Sequence, residues 1–228
     1  ARGGRRVGLV FVVGEERGSD GARLANTLAT SSTFLINGEP TDNTLGRATR
    51  GAYRVRLRAS GRAAHSSRPE LGESAIDKLL DALVALRDVT WPDDPDLGRT
   101  YYTTGLIKGG VAPNVVPPSA EAEIMFRTVG DVADVRRLIE RRIGGAVSLE
   151  DVQVVPPVRL KVVPGFSPAV FSFTTDIPFL ERWGEPLLIG PGSVTLAHTA
   201  DEYVEIADLH DAVGIYERLA SSLMLQTG

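Results

Sequence analysis

Residues 7–13 read VGLVFVV, close at Gly14 and lead at once into two glutamates, Glu15 and Glu16. A run this dense in Val, Leu and Phe, with no polar alternation, reads as a strand buried on both faces of an α/β sheet. The carboxyl end of such a strand opens on a crevice of the kind where ligands bind. Neighbours in a regular strand point to opposite faces, so Glu15 and Glu16 converge on one site only if the chain turns irregularly at Gly14. One carboxylate could then hold a metal while the other handles a proton. The alternative reading of the same residues is a solvated loop, since Arg17, Gly18, Ser19 and Asp20 run on into a helix.

That helix is predicted over 18–30, with Asp20 as its cap and Ala22, Ala25, Leu28 and Ala29 at helical spacing, and a short strand follows over 33–37. Strand, helix and strand make a βαβ unit. Its second strand ends at Gly38, Glu39 and Pro40, which puts Glu39 at the same edge as Glu15 and Glu16 if the two strands are parallel neighbours. At residue 51 the pattern changes. Tyr53, Val55, Leu57 and Ala59 alternate with Arg54, Arg56, Arg58 and Ser60, the signature of a half-exposed strand. A loop over 61–72 carries His65. Then come a helix over 74–88, strands over 100–108 and 120–128, a helix over 131–143 and a strand over 152–163. The order βαββαβ is ferredoxin-like and predicts an inserted domain over 51–163, splitting a mostly parallel α/β domain into 1–50 and 164–228. The returning segment holds strands over 169–173 and 186–189, a short helix over 177–183 and a last helix over 207–225.

Composition removes several classes of function. The chain has 228 residues, enough for one large domain or two small ones, and a net charge of −4 that offers no footprint for nucleic acid or an anionic membrane. A small-molecule or protein partner is expected. With no cysteine there is no disulfide, thiolate zinc site or thiol nucleophile, and any metal must sit on His, Asp and Glu. No run reaches the roughly eighteen apolar residues of a membrane span, and residues 1–6 lack the apolar core of a signal peptide, so the chain reads as cytoplasmic. It starts without Met and enters an apolar run within seven residues, which implies a segment removed upstream.

Only three histidines are present. His198 follows the turn Gly190, Pro191, Gly192 and Ser193 just beyond a short strand, so it too belongs at a sheet edge and could meet the carboxylates. An imidazole with two or three carboxylates suits zinc, cobalt or manganese. The alternative is a loop histidine bonded to Asp201. By spacing alone His65 is a surface residue, and His210, among Asp208, Asp211 and Glu217, is a solvated or capping one. Ser193, His198 and Asp201 do not make a hydrolase triad, because no GxSxG elbow is present.

Six stretches, FVVGEERGSDG (11–21), GEPT (38–41), HSSRPELG (65–72), NVVP (114–117), Phe126 with Arg127, and GPGSVTLAHTADEY (190–203), occur in an order that resembles one family. It is the dizinc metallopeptidases that include aminoacylase, carboxypeptidase G, succinyl-diaminopimelate desuccinylase and acetylornithine deacetylase. The resemblance implies that Glu15 is the general base for an attacking water and that Glu16 and His198 are ligands of one zinc and Glu39 of the other. It implies a homodimer through the inserted domain, in which His65 reaches the neighbouring subunit's site and holds the oxyanion. Asn114, Arg127 and the turn of Gly190, Gly192 and Ser193 would hold the substrate, with Arg127 pairing a carboxylate.

The family also needs an upstream His-x-Asp and an Asp that bridges the metals, and no His-x-Asp occurs here. The expectation is therefore a partial site that holds its metals incompletely and has little activity alone. GPGS and AHTADEY resemble the acetylornithine and acetyl-lysine deacetylases, so the expected parent activity is removal of an acyl group from an N-acyl amino acid. A desuccinylase or dipeptidase is the alternative within the family. A non-catalytic dimerisation or binding module is the alternative outside it.

Overall fold

The computed structural model describes residues 7–28 and 30–226; the predicted helical position Ala29 and the opening residues 1–6 lie outside the described residues. In chain order the elements are α1 (Asp20–Ala25), β1 (Phe34–Asn37), β2 (Leu45–Thr49), β3 (Gly51–Ser60), α2 (Ala75–Arg87), β4 (Asp93–Asp94), β5 (Gly98–Arg99), β6 (Tyr101–Gly109), β7 (Ser119–Thr128), α3 (Val132–Ile143), β8 (Val147–Val155), β9 (Val158–Arg159), β10 (Pro168–Phe171), β11 (Glu185–Leu188) and α4 (Ile206–Leu225). They divide into two compact units, Arg50–Pro157 and the segments Ala1–Thr49 and Val158–Gly228 on either side of it.

The unit Arg50–Pro157 is a four-stranded antiparallel sheet in the order β6-β7-β3-β8. With its helices this is the ferredoxin-like arrangement of βαββαβ. The alternation along β3 decides which face is covered. Tyr53, Val55, Leu57 and Ala59 point into a core that continues through Leu79 and Leu86 of α2, Ile124 and Phe126 of β7, and Val135 and Ile139 of α3. Arg56 and Arg58 point the other way and meet Glu123 and Glu150, each pair at 2.6 Å. Solvated ion pairs of this kind add little stability one by one, but opposite charges facing across strands fix the register. Ser74 caps α2 by accepting from the Asp77 amide at 3.2 Å, and Asp131 caps α3 by accepting from that of Ala133 at 2.8 Å. The last strand starts at Val147 rather than 152, opposite Ala59, and stops before Pro156 and Pro157, which have no N–H to donate to a ladder.

The flanking unit is an α/β arrangement of smaller sheets. Strand β1 pairs parallel with β11, Phe34 opposite Glu185 through Asn37 opposite Leu188, and β2 lies between β10, parallel, and β9, antiparallel. Leu45, Val163, Leu187 and Ile189 pack with Leu219 and Leu223 of α4. The spacing of small residues in β2 hid it from the sequence reading. Gly46 is small because Leu160 and Leu188 lie where its Cβ would be, 2.9 and 3.0 Å away.

The run 7–13 is not a strand. Leu9 is 83% and Phe11 91% exposed, and only Val12 packs inward, against Ala22, Ala25 and Leu180. No strand among the described residues lies beside the run to take its N–H and C=O groups, so it has no ladder to join. Helix α1 is correspondingly short, ending at Ala25 rather than near 30, and it starts after Ser19 in a left-handed conformation that makes no side-chain cap. The segment 177–183 forms two 3-10 turns, Ile177–Phe179 and Glu181–Trp183, in place of one helix.

One core contact has a pH signature. The Tyr53 hydroxyl donates to Asp151 at 2.5 Å, and burial, then that carboxylate, push the phenol well above its ordinary pKa of 10.0. The neutral form is thus favoured in the folded state. Its stabilisation is complete below pH 10 and is lost as pH rises beyond, where the unfolded chain ionises first. Tyr53→Phe is expected to lower stability by about 1–2 kcal/mol at neutral pH and to flatten the alkaline loss, read from urea midpoints between pH 7 and 11. An unchanged alkaline slope would show that Tyr53 is not its source.

Candidate functional site

Glu15 and Glu16 are presented by a single 3-10 turn, Glu15–Arg17, entered through Gly14 at φ 82° and left through Gly18 at φ 118°. The Gly14 carbonyl accepts from the amides of Arg17 and Ser19 at 3.1 and 2.8 Å, and the Gly21 amide donates to Val13 O at 3.0 Å. Gly21 lies so close to Val13 that a Cβ would sit 2.5 Å from its backbone. The tight turn separates the two carboxylates: Glu15 is half-buried and Glu16 exposed.

Glu39 follows the last residue of β1 by two positions, at the carboxyl edge shared with β11. There the loop after β1 is zipped to the turn after β11. The Ile189 amide donates to Asn37 O at 3.1 Å. Gly190 O accepts from the amides of Thr41 and Asn43, at 3.2 and 2.9 Å, and the Asp42 amide donates to Gly192 O at 2.8 Å. The Gly190 amide in turn donates to the Thr41 hydroxyl at 3.0 Å. A Cβ on Gly190 would lie 2.4 Å from Glu39 O, so only glycine permits this approach. Helix α4 supports the same edge, its Tyr216 hydroxyl donating to Ile189 O at 2.8 Å and its Asp208 O accepting from the Asn43 amide group at 2.9 Å. The hydrogen-bonding groups of Gly190, Gly192 and Ser193 that take part are thus used within the loops: the Ser193 hydroxyl donates to Asp42 at 3.3 Å and lies 3.0 Å from Thr195 Oγ1.

His198 has a left-handed backbone, φ 62°, which a non-glycine residue adopts only where its surroundings demand it. Its amide donates to Glu202 at 3.1 Å, and its Nε2 lies 3.0 Å from Glu16 Oε1. The partner of the ring is therefore Glu16 rather than Asp201.

The electrostatics of this edge are one-sided. Burial, then Glu15, Asp176 and Glu16, push the Glu39 carboxyl up to about 7. Burial, then Glu16 and Asp176, also raise Glu15, while His198 acts in the opposite sense. Asp176 is the residue that sequence reasoning missed. It is 3% exposed, and its Oδ1 has no partner. In the sequence it stands before Ile177 and Pro178, which reads as a helix cap; the one signal available was that no charged residue comes near it in the stretch 167–175.

The donors here, carboxylates and an imidazole with no thiol, fit a divalent cation of borderline hardness, and an excess of buried negative charge is what such a cation would compensate. Among the described residues, however, no three of these groups stand close enough together to hold an ion. What is assembled is one contacting pair, Glu16 with His198, within electrostatic reach of Glu15, and Glu15 and Asp176 within reach of Glu39.

In the other unit His65 is exposed and its backbone bridges to Val115, while the Ser66 amide donates to Asn114 O at 2.9 Å, so His65 and Asn114 share one ridge. Arg127 does not join them within one chain. It lies on β7 opposite Ala52 and Tyr101, roughly 25 Å along the strand from the end nearest Asn114.

Residues 47–146 match the peptidase dimerisation domain of M20 peptidases. The chain is 37% identical over 215 residues to a peptidase M20 domain-containing protein of Schizosaccharomyces pombe, covering 92% of the chain and 54% of that protein. It is 38% identical over 243 residues to a probable carboxypeptidase of Paracoccidioides brasiliensis, covering 93% of the chain and 55% of that protein. Over nearly its whole length the chain is similar to M20 peptidases. It spans about half the length of the curated relatives it matches. Its fold is similar to that of the crystal structure of aminopeptidase PepT from Bacillus cereus, with a TM-score of 0.67 at 18% identity, covering 90% of this chain and 61% of that one.

Gly190→Ala is expected to destabilise the chain by about 1–3 kcal/mol, because the methyl group must displace the Glu39 backbone; urea unfolding measures it. Loss of no more than a few tenths would mean that the two loops can part freely.

Proposed function

We propose that this chain is part of an M20 peptidase and carries part of the active site of a metal-dependent hydrolase that cleaves the amide bond of an N-acyl amino acid and releases the amino acid. The observation that carries the reading is Glu15, half-buried, its proton affinity raised, beside the Glu16 and His198 pair at 3.0 Å. Glu15 suits a general base that takes a proton from the attacking water and passes it to the leaving nitrogen. Glu16 and His198 would hold one cation, and Glu39 a second. When bound, such a cation supplies Lewis-acid polarisation of the scissile carbonyl; zinc is the first expectation, cobalt or manganese the alternatives. Arg127 would pair the substrate carboxylate and Asn114 and His65 would hold the carbonyl oxygen, with Gly190, Gly192 and Ser193 shaping the wall through the loops that they brace.

A carboxypeptidase is the second reading, favoured by the similarity to probable carboxypeptidases of fungi. Both substrates present an amide whose nitrogen belongs to a residue with a free carboxylate. In the full-length protein with zinc, turnover of N-acetylated amino acids is expected to exceed that of C-terminal dipeptides, and the reverse ratio of kcat/KM would favour the carboxypeptidase. Glu15→Ala should lower kcat by about a hundredfold or more while zinc binding, followed by calorimetry, persists. No turnover of either substrate class would leave the non-catalytic module as the better account.

The partner reading is a homodimer through the edge of β6. Among the described residues that strand pairs only with β7, and its Ile107 is 59% exposed. Ile76 of α2 packs against Gly109 and Gly110 at the end of β6, so the stripe it belongs to, with Leu80 at 48% and Val84 at 54% exposure, flanks the same edge. An unpaired strand beside exposed apolar side chains is the kind of surface a second copy can extend and cover. Leu80→Glu with Val84→Glu should shift the chain from dimer to monomer in sedimentation. A dimer that survives both changes would place the interface elsewhere.

A further inference from the structure

We infer that the Ser67 hydroxyl is a positioning group that holds the neutral His65 imidazole in the tautomer with its proton on Nε2. The inference rests on the reading of His65 as a donor to the carbonyl oxygen, and it assigns a second residue to that task.

The loop that carries His65 is fixed by its backbone. Arg62 and Glu73 exchange two amide bonds at 2.9 Å each, the Ser66 amide donates to Asn114 O and the Val116 amide to Ala64 O, both at 2.9 Å, and the Arg68 amide donates to His65 O at 2.9 Å. Gly72 closes the loop against Ala64 and Val116, where a Cβ would lie 2.9 Å from either side chain. None of these bonds uses the Ser67 hydroxyl. That hydroxyl goes to the ring: Ser67 Oγ lies 2.9 Å from His65 Nδ1, and the Ser67 amide approaches the same nitrogen at 3.2 Å.

An amide N–H can only donate, so a proton on Nδ1 would face another proton. The neutral ring therefore keeps its lone pair on Nδ1, where the amide and the hydroxyl share it, and carries its proton on Nε2. The hydroxyl is the closer of the two donors. Because His65 is exposed, water competes for Nδ1, and the hydroxyl adds a second, closer donor to the amide that keeps the lone pair there. The consequence is chemical. An Nε2–H donates to a developing oxyanion, whereas the opposite tautomer would aim a lone pair at it and repel it.

The test reads the ring directly. The chain is labelled with 15N-histidine, which gives only three side chains to resolve, and long-range 1H–15N correlations report which nitrogen bears the proton. In the unaltered chain His65 should show an unprotonated Nδ1 and a protonated Nε2. Ser67→Ala should move both shifts toward those of the exposed His210 in the same spectrum, and Ser67→Thr should restore them. In the full-length protein Ser67→Ala should lower kcat about threefold or more with KM little changed, again restored by Thr. A protonated Nδ1 in the unaltered chain, or shifts that do not respond to Ser67→Ala, would overturn the inference. His65→Ala without effect on the rate would instead overturn the oxyanion role of His65, while the spectra would still decide what Ser67 does to the ring.

Discussion

The parallel pairing of β1 with β11 is the constraint on which the candidate site depends. It joins residues some 150 positions apart, Asn37 opposite Leu188, and it brings the two halves of the interrupted unit to one edge. Beyond the last pair the strands do not simply end. Thr41, Asp42 and Asn43 bond back onto Gly190 and Gly192, and the Gly190 backbone rests against that of Glu39. Long-range pairing of this kind is costly to close, because a large loop must be ordered before any contact forms. Here the intervening residues 50–157 fold as a unit with their own core, so the loop that must be closed is itself compact.

What that edge gathers is negative charge in a partly dry place. Asp176 is withdrawn from water, Glu15 and Glu39 are half-buried, and the imidazole of His198 sits on exposed Glu16. Burial of carboxylates without partners favours either their protonation or an outside cation. The rise of the Glu39 carboxyl toward 7 is the first of these responses, and a cation would be the second. Among the described residues no three of these groups stand close enough together to hold an ion, and the one pair in contact is Glu16 with His198.

The inserted unit solves a different problem. Its sheet has one apolar face under two helices and one charged face where Arg56, Arg58 and Lys108 alternate with Glu121, Glu123 and Glu150. Such a face stays hydrated and keeps its register, while the edge of β6 and the outer stripe of α2 expose apolar side chains such as Ile107, Leu80 and Val84. The ridge bearing His65 and Asn114 is held by backbone bonds, and the Nδ1 of the His65 ring is engaged by Ser67.

How much of this was legible depends on the range of the forces involved. The inserted unit could be read from the chain, since the alternation of Tyr53, Val55, Leu57 and Ala59 and the stripes of α2 and α3 are local patterns set by the pitch of strand and helix. Glu15, Glu16, Glu39 and His198 were legible as candidates because chemistry and the neighbouring Gly turns mark them. The strand expected over 7–13 was not found, because an apolar run is a strand only when another strand lies beside it, and that is a tertiary fact. Asp176 was unreadable for a related reason: its sequence neighbours describe a turn, and only folding buries it within electrostatic reach of Glu15 and Glu39. The sequence by itself determined the two-unit plan and the residue types at the site, through local periodicity. The tertiary structure alone decided which carboxylates lose their water and which meets His198, because burial and through-space distance are properties of the packed chain.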